Sequence, residues 1–223
     1  MIIAIDGPAG SGKSSVAREV ARRLGFHYLD TGAMYRALAF AALQQGVGLD
    51  DEPGLVALAS TSPVEFVHAE DEPLPSKVLI GGVDVTEEIR SPQVDDAVSP
   101  VARLARVREA MVRQQRVAAD GQDIVVEGRD IGTVVFPDAE LKVFLTASAQ
   151  ERARRRTQQQ AAAGAAVDTD SVHDAITRRD AADSSRAHSP LRAASDAVEV
   201  DTTGLGFEQV VSSVVDLAMQ VRR

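Results

Sequence analysis

A glycine-rich stretch near the start of the chain has the residue types that bind phosphate groups. Residues 7–14 read Gly-Pro-Ala-Gly-Ser-Gly-Lys-Ser and fit the pattern G-x-x-x-x-G-K-[ST]. Glycines let successive backbone N–H groups converge on phosphate oxygens. Lys13 can then bridge the terminal phosphates, and the Ser14 hydroxyl can bind Mg²⁺. This stretch predicts a site for a nucleoside triphosphate.

The flanking residues decide between a phosphate site and a glycine turn that fits the pattern by chance. The apolar run 2–5 predicts a short buried strand before the loop. After the loop, Val16, Val20 and Leu24 recur at helical spacing, and Gly25 is a suitable C-terminal cap. A strand, a glycine loop and a helix N-terminus together form an anion site, so the flanks favour phosphate binding.

A second anion site is predicted after the next strand, residues 26–29. Asp30 and Thr31 are good helix N-caps, and a helix is expected to run from there to about Gln45. Tyr35 and Arg36 fall on its first turns and can reach an anion at the helix start. Taken singly, Thr31 is better explained as a plain cap and Arg36 as a solvated helix charge.

The remaining pattern predicts an α/β fold of the P-loop NTPase type, with a doubly wound parallel sheet of five strands. Strands are expected at 124–126, 141–145 and 197–200, and the tetrapeptide 127–130 follows the first of them, at the edge where such sheets bind ligands. Gly81-Gly82 indicates a hairpin within a small antiparallel insert, and a helix is expected over 101–119. The predicted parts are a core (1–60 and 91–223), the insert (61–90), linking helices (91–120), a short helical lid (about 150–170) and a last helix (207–221).

Two arginine-rich stretches flank a Gln/Ala/Gly segment, 158–166, that is typical of a mobile connection. Helical spacing aligns Arg152, Arg155 and Arg156 before it, and Arg179, Asp183 and Arg186 after it. A lid over a bound nucleotide is favoured. A stripe of salt bridges along a helix is the second interpretation, and a patch that binds nucleic acid is the third.

Composition narrows the class of protein. The chain has 223 residues, a net charge of −9 and no cysteine, so a broad nucleic-acid interface, disulfides and thiolate chemistry are not expected. The 24 basic residues are mostly arginines, and the lysines among them are Lys13, Lys77 and Lys142. No apolar run reaches membrane-spanning length, and the first strand begins too early for a signal peptide. We therefore expect a cytoplasmic enzyme, without a membrane or nucleic-acid partner, and a monomer.

The chain resembles the bacterial cytidylate kinases, a branch of the P-loop nucleoside monophosphate kinases, over nearly its whole length. The resemblance rests on residues 6–14, on Asp-Thr-Gly-Ala-Met-Tyr-Arg at 30–36, and on Glu-Gly-Arg-Asp-Ile-Gly-Thr-Val-Val-Phe-Pro at 127–137. The Arg179, Asp183 and Arg186 stripe adds to it. The first motif is shared by many P-loop proteins, whereas the other two are more specific.

The resemblance implies transfer of the γ-phosphoryl group of ATP to CMP or dCMP, with Mg²⁺, and Lys13, Arg129 and Arg155 as catalytic residues. It assigns ATP to Gly7, Pro8, Ala9, Gly10, Ser11, Gly12, Lys13, Ser14, Ser15, Arg152, Arg155 and Arg156, with Ser14 as the metal ligand. It assigns the CMP phosphate to Thr31, Tyr35, Arg36 and Arg129; the cytosine to Ser99, Arg108 and Asp130; and the sugar and nearby phosphates to Arg179, Asp183 and Arg186. The sequence leaves open a kinase for another small molecule and a nucleotide-dependent regulatory switch.

Overall fold

The computed structural model describes residues 1–70, 72–162, 168–186 and 188–222, and these form two compact units. One unit contains Met1–Leu24 and Val125–Arg223, and the other contains Gly25–Ile124. The described strands are β1 (Ile2–Asp6), β2 (His27–Asp30), β3 (Val64–His68), β4 (Pro75–Ile80), β5 (Val83–Asp84), β6 (Ile124–Gly128), β7 (Leu141–Thr146) and β8 (Val198–Asp201). The described α-helices are α1 (Lys13–Leu24), α2 (Thr31–Gln45), α3 (Glu52–Thr61), α4 (Pro92–Ala102), α5 (Ala105–Ala119), α6 (Ala149–Ala162), α7 (Thr169–Ser184) and α8 (Phe207–Val221).

The predicted parallel sheet is confirmed, and its strand order is β2-β6-β1-β7-β8. β1 pairs with β7 in parallel, with Asp6 opposite Phe144, and β7 pairs in turn with β8. The inner strands are fully apolar at their centres, as in Ile3–Ile5, which is typical of a sheet covered on both faces. This order brings the carboxyl ends of β6, β1 and β7 to one edge.

The predicted antiparallel insert is also present, as the three-stranded sheet β3-β4-β5. Gly81 and Gly82 connect β4 and β5 with φ of +55° and +80°, values that suit glycine in a two-residue hairpin turn. The sheet lies within the unit Gly25–Ile124. The predicted domain limits and the opening of a lid stay predictions.

The helix expected over 101–119 is present as α5, but it begins later than expected, at Ala105, and a separate helix, α4 (Pro92–Ala102), precedes it. α4 begins at Pro92, where a proline at the first helical position loses no hydrogen bond, and α5 begins after Leu104. Residues 158–162 were expected in a mobile connection, but they extend α6, since glutamine and alanine are strong helix formers. The rest of that predicted connection, 163–166, lies outside the described residues.

α6 and α7 pack through a small apolar cluster of Ala153, Val172 and Ile176. None of the helices in the described part of the chain combines the length and the apolar character that a bilayer span requires.

Candidate active site

The phosphate loop is shaped by contacts that only glycine permits. Gly7 has a φ of +151°, and a Cβ atom there would lie 2.0 Å from the carbonyl oxygen of Leu145. β1 therefore leads directly into a loop pressed against β7. α1 begins at Lys13, so its N-terminal N–H groups face the loop as an anion site requires.

Lys13 is buried, and its Nζ atom donates a 2.8 Å hydrogen bond to the Pro8 carbonyl oxygen. Burial lowers the pKa of Lys13 to about 7, the positive charge of Arg129 adds to this, and Glu127 opposes it. Desolvation and the positive charge of Arg129 thus outweigh the nearby carboxylates and disfavour the ammonium form. The oxygens of a phosphate would add the negative charge that favours it.

Ser14 and Glu127 form the part of the site that suits a metal ion. The Ser14 hydroxyl donates a 2.9 Å hydrogen bond to Oε2 of Glu127, which is itself buried. Mg²⁺ prefers oxygen ligands and is usually held by one or two protein groups together with substrate phosphates. Among the described residues no cluster of three or more acidic, histidine or cysteine side chains forms a full metal cage. The Ser14–Glu127 pair therefore fits Mg²⁺ that arrives with a nucleotide.

Several arginines lie around the end of β6. Arg129 follows that strand, and its Nε donates to Oδ2 of Asp183 on α7 at 3.1 Å. Arg186 binds the other oxygen of the same carboxylate. Arg179 lies one turn before Asp183. Burial and the positive charge of Arg129 lower the pKa of Lys13 most, and the positive charge of Arg179 lowers it further. The predicted stripe on α7 is thus part of the ion-pair network beside the phosphate loop.

The same segment is held from β1. Asp6 Oδ1 accepts a hydrogen bond from the backbone N–H of Ile131, and Oδ2 accepts one from Gly132, both at 2.8 Å. These amides open a single π-helical turn, Ile131–Val135, directly after Asp130. Burial raises the pKa of Asp6, and the negative charge of the nearby, buried Asp130 adds to this.

The arginines of α6 contact the phosphate loop through its carbonyl oxygens. Arg152 donates to the Ala9 carbonyl at 3.1 Å and pairs with Asp180 of α7. Arg155 donates to the Ser11 carbonyl at 3.4 Å and to the hydroxyl and carbonyl of Thr202 at 2.9 and 2.7 Å. Arg156 bonds Gln159 on its own helix at 3.1 Å. Arg152 and Arg155 therefore lie at the phosphate loop.

The second predicted anion site lies in the unit Gly25–Ile124. Asp30, not Thr31, caps α2, because its Oδ1 accepts from the Ala33 N–H at 2.9 Å. Thr31 is the first helical residue and is buried. The Asp30 cap thus occupies the Ala33 N–H, one of the groups expected to bind an anion. The Thr31 hydroxyl does not serve as the cap.

Arg36, Tyr35 and Arg108 each have a defined environment in that unit. Arg36 pairs with Asp95 of α4 and donates to the Ile89 carbonyl at 3.2 Å. Arg108 is buried, donates to the Ala102 carbonyl at 3.0 Å, and lies 5.5 Å from the centre of the Tyr35 ring. Such a cation–aromatic contact holds both side chains in place. Ser99 is half-exposed on α4.

Comparison with known proteins decides the family. A family model described as "Cytidylate kinase" matches residues 3–220. The chain belongs to the cytidylate kinase family. It is therefore a kinase of the P-loop type, in agreement with its phosphate loop and sheet.

Individual members of this family match over nearly the full chain. A cytidylate kinase from Pelotomaculum thermopropionicum is 52% identical over 221 residues, covering 99% of this chain and 97% of the relative. One from Geobacillus sp. is 49% identical over 215 residues, covering 96% and 95%. A solved structure of an uncharacterised protein from Eubacterium ventriosum matches the fold with a TM-score of 0.52 at 12% identity, covering 97% of both chains.

Three residues of the site were missed by reasoning from the sequence. Asp6 ends an apolar strand, and a carboxylate in that position is the one signal that was visible. Asp180 and Thr202 gave no signal, because they reach Arg152 and Arg155 only through tertiary packing. The two units contain the predicted residues as follows: the first holds the phosphate loop, Arg129, Asp130, the α6 arginines, Arg179, Asp183 and Arg186, and the second holds Thr31, Tyr35, Arg36, Ser99 and Arg108.

Proposed function

We propose that this protein transfers the γ-phosphoryl group of ATP to CMP or dCMP, giving ADP and CDP or dCDP. A phosphate oxygen of the acceptor forms the new bond to the γ-phosphorus, and the bond from that phosphorus to the β–γ bridging oxygen breaks. ADP leaves with the electron pair of the broken bond. The observation that carries this proposal is the family match over residues 3–220.

On the donor side, the phosphate loop and the start of α1 would bind the ATP phosphates. The buried Lys13, whose ammonium form is disfavoured by desolvation and by the nearby Arg129, would bridge the terminal phosphates. Arg152, Arg155 and Arg156 of α6 would cover the bound nucleotide. Arg155 reaches both Ser11 and Thr202 and is the best placed of the three to approach the transferred group. Ser15 is exposed beside Ser14.

Ser14 and Glu127 would hold Mg²⁺, Ser14 as a direct ligand and Glu127 through its hydrogen bond to the Ser14 hydroxyl. When bound, the ion neutralises developing charge on the β- and γ-phosphate oxygens. The longer side chain of glutamate, compared with aspartate, lets Glu127 reach Ser14 from the end of β6.

On the acceptor side, Thr31, Tyr35, Arg36 and Arg129 would bind the CMP phosphate. Arg36 already meets a carboxylate, Asp95, which is a reasonable stand-in for the charge of a phosphate. Asp183 is held between Arg129 and Arg186, so any contact of Asp183 with the sugar would be made from within this network. Arg179 would share that contact.

The chemistry needs no general base. The second pKa of a phosphate monoester is about 6, so the acceptor is already a nucleophile at neutral pH. Catalysis then consists of alignment and of charge neutralisation by Lys13, Arg129 and Arg155. His27, His68, His173 and His188 have no role in this scheme.

Recognition of cytosine would rest on Asp130 and Arg108, with Ser99. Cytosine presents an amino donor and a ring acceptor on its pairing edge, which match a carboxylate and a guanidinium. Uracil reverses that pattern and would leave buried polar groups unpaired. Arg108 is fixed by Ala102 and Tyr35, which gives it the rigidity that such discrimination needs.

The sequence-based expectation of a cytoplasmic monomer stays a prediction.

The test is a panel of nucleoside monophosphates incubated with ATP and Mg²⁺, with ADP release as the measurement. We expect rapid release with CMP and dCMP and much slower release with UMP, AMP and GMP. Release only with another small molecule would indicate a different acceptor. Slow turnover that no acceptor saturates would indicate a regulatory switch, and either result would overturn the proposal.

A further inference from the structure

Both oxygens of the Asp6 carboxylate are engaged, each with one backbone amide. The Ile131 and Gly132 N–H groups donate to Oδ1 and Oδ2, at 2.8 Å in both cases. Asp6 is 5% exposed, so water does not compete for these bonds. Two parallel hydrogen bonds from consecutive amides define the orientation of that backbone, which one bond alone would not.

The placement of this pair of bonds connects two functional segments. Asp6 ends β1 and directly precedes Gly7 of the phosphate loop, whereas Ile131 directly follows Asp130. The other end of the same segment is held by the Ser14–Glu127 hydrogen bond. Residues 127–132 are thus anchored to the phosphate loop and its helix at both ends, with Arg129 and Asp130 between the anchors.

We infer that Asp6 is a positioning residue, whose carboxylate holds the Arg129–Asp130 segment in register with the phosphate loop. This inference rests on the proposed function, because it gives Arg129 and Asp130 their substrate. Asp6 itself has no contact with a reacting atom in this scheme.

The surroundings of Asp6 leave little freedom for another arrangement. A Cβ atom on Gly132 would lie 3.1 Å from Cδ of Lys142 and 3.5 Å from Asp6 Oδ2, so the backbone approaches closely there. Lys142, on β7, has its Nζ paired with Asp196 at 2.7 Å. The charged neighbours that act on Asp6 are Asp130, which disfavours its charge, and Lys13, which favours it.

A stabilising effect on the folded state does not explain why the Asp6 carboxylate lies at this position. Burial raises the pKa of Asp6 to about 6, and the two backbone hydrogen bonds only partly offset this. At neutral pH the ionised group is therefore held at a cost to the folded state. A group kept at such a cost is a candidate for a functional role.

Asp6→Asn is the informative substitution, because it keeps the size of the side chain. The amide has one oxygen, so its NH₂ group would face the second backbone N–H and that anchor would be lost. Asp138→Asn is the matched control, since Asp138 is exposed in the same unit, a few residues after the π-helical turn.

Calorimetric titrations of each full-length protein with CMP and with a non-hydrolysable ATP analogue provide the first measurement. We expect Asp6→Asn to weaken CMP binding about tenfold, the equivalent of one hydrogen bond to a charged group, and to change binding of the ATP analogue much less. Asp138→Asn should change neither. Equal losses for both nucleotides, or unchanged CMP binding, would overturn the inference.

A second measurement uses the wild-type protein and needs no substrate. The amide protons of Ile131 and Gly132, followed by NMR, should shift together with a midpoint at pH about 6 as Asp6 ionises. The absence of a shared shift would overturn the inference that the Asp6 carboxylate holds both amides. A wild-type protein that gives this shift but shows no activity with CMP or dCMP would overturn the proposed function alone.

Discussion

The Nε atom of Arg129 donates a 3.1 Å hydrogen bond to Oδ2 of Asp183, which lies 54 residues further along the chain. Arg186 binds the second oxygen of that carboxylate, whose side chain is only 3% exposed. One acidic group therefore holds two arginines beside the phosphate loop. Their positions depend on α7 as much as on β6.

Replacing Asp183 with asparagine should disturb both arginines. We expect the free energy of unfolding to fall by about 1–3 kcal/mol, because hydrogen bonds to a charged group are lost in a buried place. KM for CMP should rise in parallel. Urea denaturation and steady-state kinetics measure the two effects. Asp174→Asn is the control, because Asp174 is exposed on the same helix. If Asp183→Asn had the same stability and the same KM as this control, the proposed role of Asp183 in holding the two arginines would be refuted.

Replacing Lys13 with alanine should abolish most turnover while leaving the fold intact. The loss of a preorganised positive group at the transferred phosphate is expected to lower kcat about 10²–10³-fold. Thermal stability should be unchanged or higher, because the buried ammonium pays a desolvation cost. Lys77→Ala, at an exposed position on β4, should behave as wild type. Wild-type rates in the Lys13 variant would rule out the mechanism.

Replacing Arg36 with alanine should raise KM for CMP about tenfold or more, with a much smaller effect on ATP. The physical reason is the loss of a charged hydrogen-bond donor to the acceptor phosphate. Initial rates measured with each substrate varied in turn distinguish the two effects. Arg103→Ala is the control, since Arg103 is exposed in the same unit. Equal effects on both substrates would show that the two anion sites are assigned wrongly.

Asparagine at position 130 should relax the choice between cytosine and uracil. An amide can donate to the uracil oxygen that a carboxylate repels, so the ratio of kcat/KM for CMP over UMP should fall about tenfold. The ratio is measured from parallel kinetics with both substrates. An unchanged ratio would remove Asp130 from base recognition, and Asp138→Asn provides the comparison.

The stability of the protein should depend on pH through Asp6. The pKa of Asp6 is about 6 in the folded chain and near its ordinary value of 3.8 in the unfolded chain, so the folded state binds the proton more tightly. The contribution of Asp6 to the free energy of unfolding therefore falls as pH rises from about 4 to about 6, by at most ~3 kcal/mol.

This dependence should be absent in Asp6→Asn. Chemical denaturation of both proteins at intervals between pH 4 and 7 measures the difference, which isolates Asp6 from the other carboxyl groups. Parallel curves for the two proteins would contradict the raised pKa.

Local patterns in the sequence determined much of the fold. The phosphate loop, its strand and helix, the hairpin at Gly81–Gly82 and five parallel strands all follow from periodicity and turn residues, because these act over short stretches of chain. The start of the helix expected over 101–119 was placed too early, since local spacing allowed a longer helix and only packing separates α4 from α5.

Contacts between distant residues were decided by the tertiary structure alone. Ser14 meets Glu127 across 113 residues, Asp6 meets Ile131 across 125, and Arg155 meets Thr202 across 47. The first two pairs depend on the order in which β6, β1 and β7 lie side by side, and the third depends on the contact of α6 with the residue after β8. Hydrophobic periodicity encodes neither arrangement. The sequence by itself indicated which residues could bind phosphate, and the tertiary structure decided which carboxylates contact them.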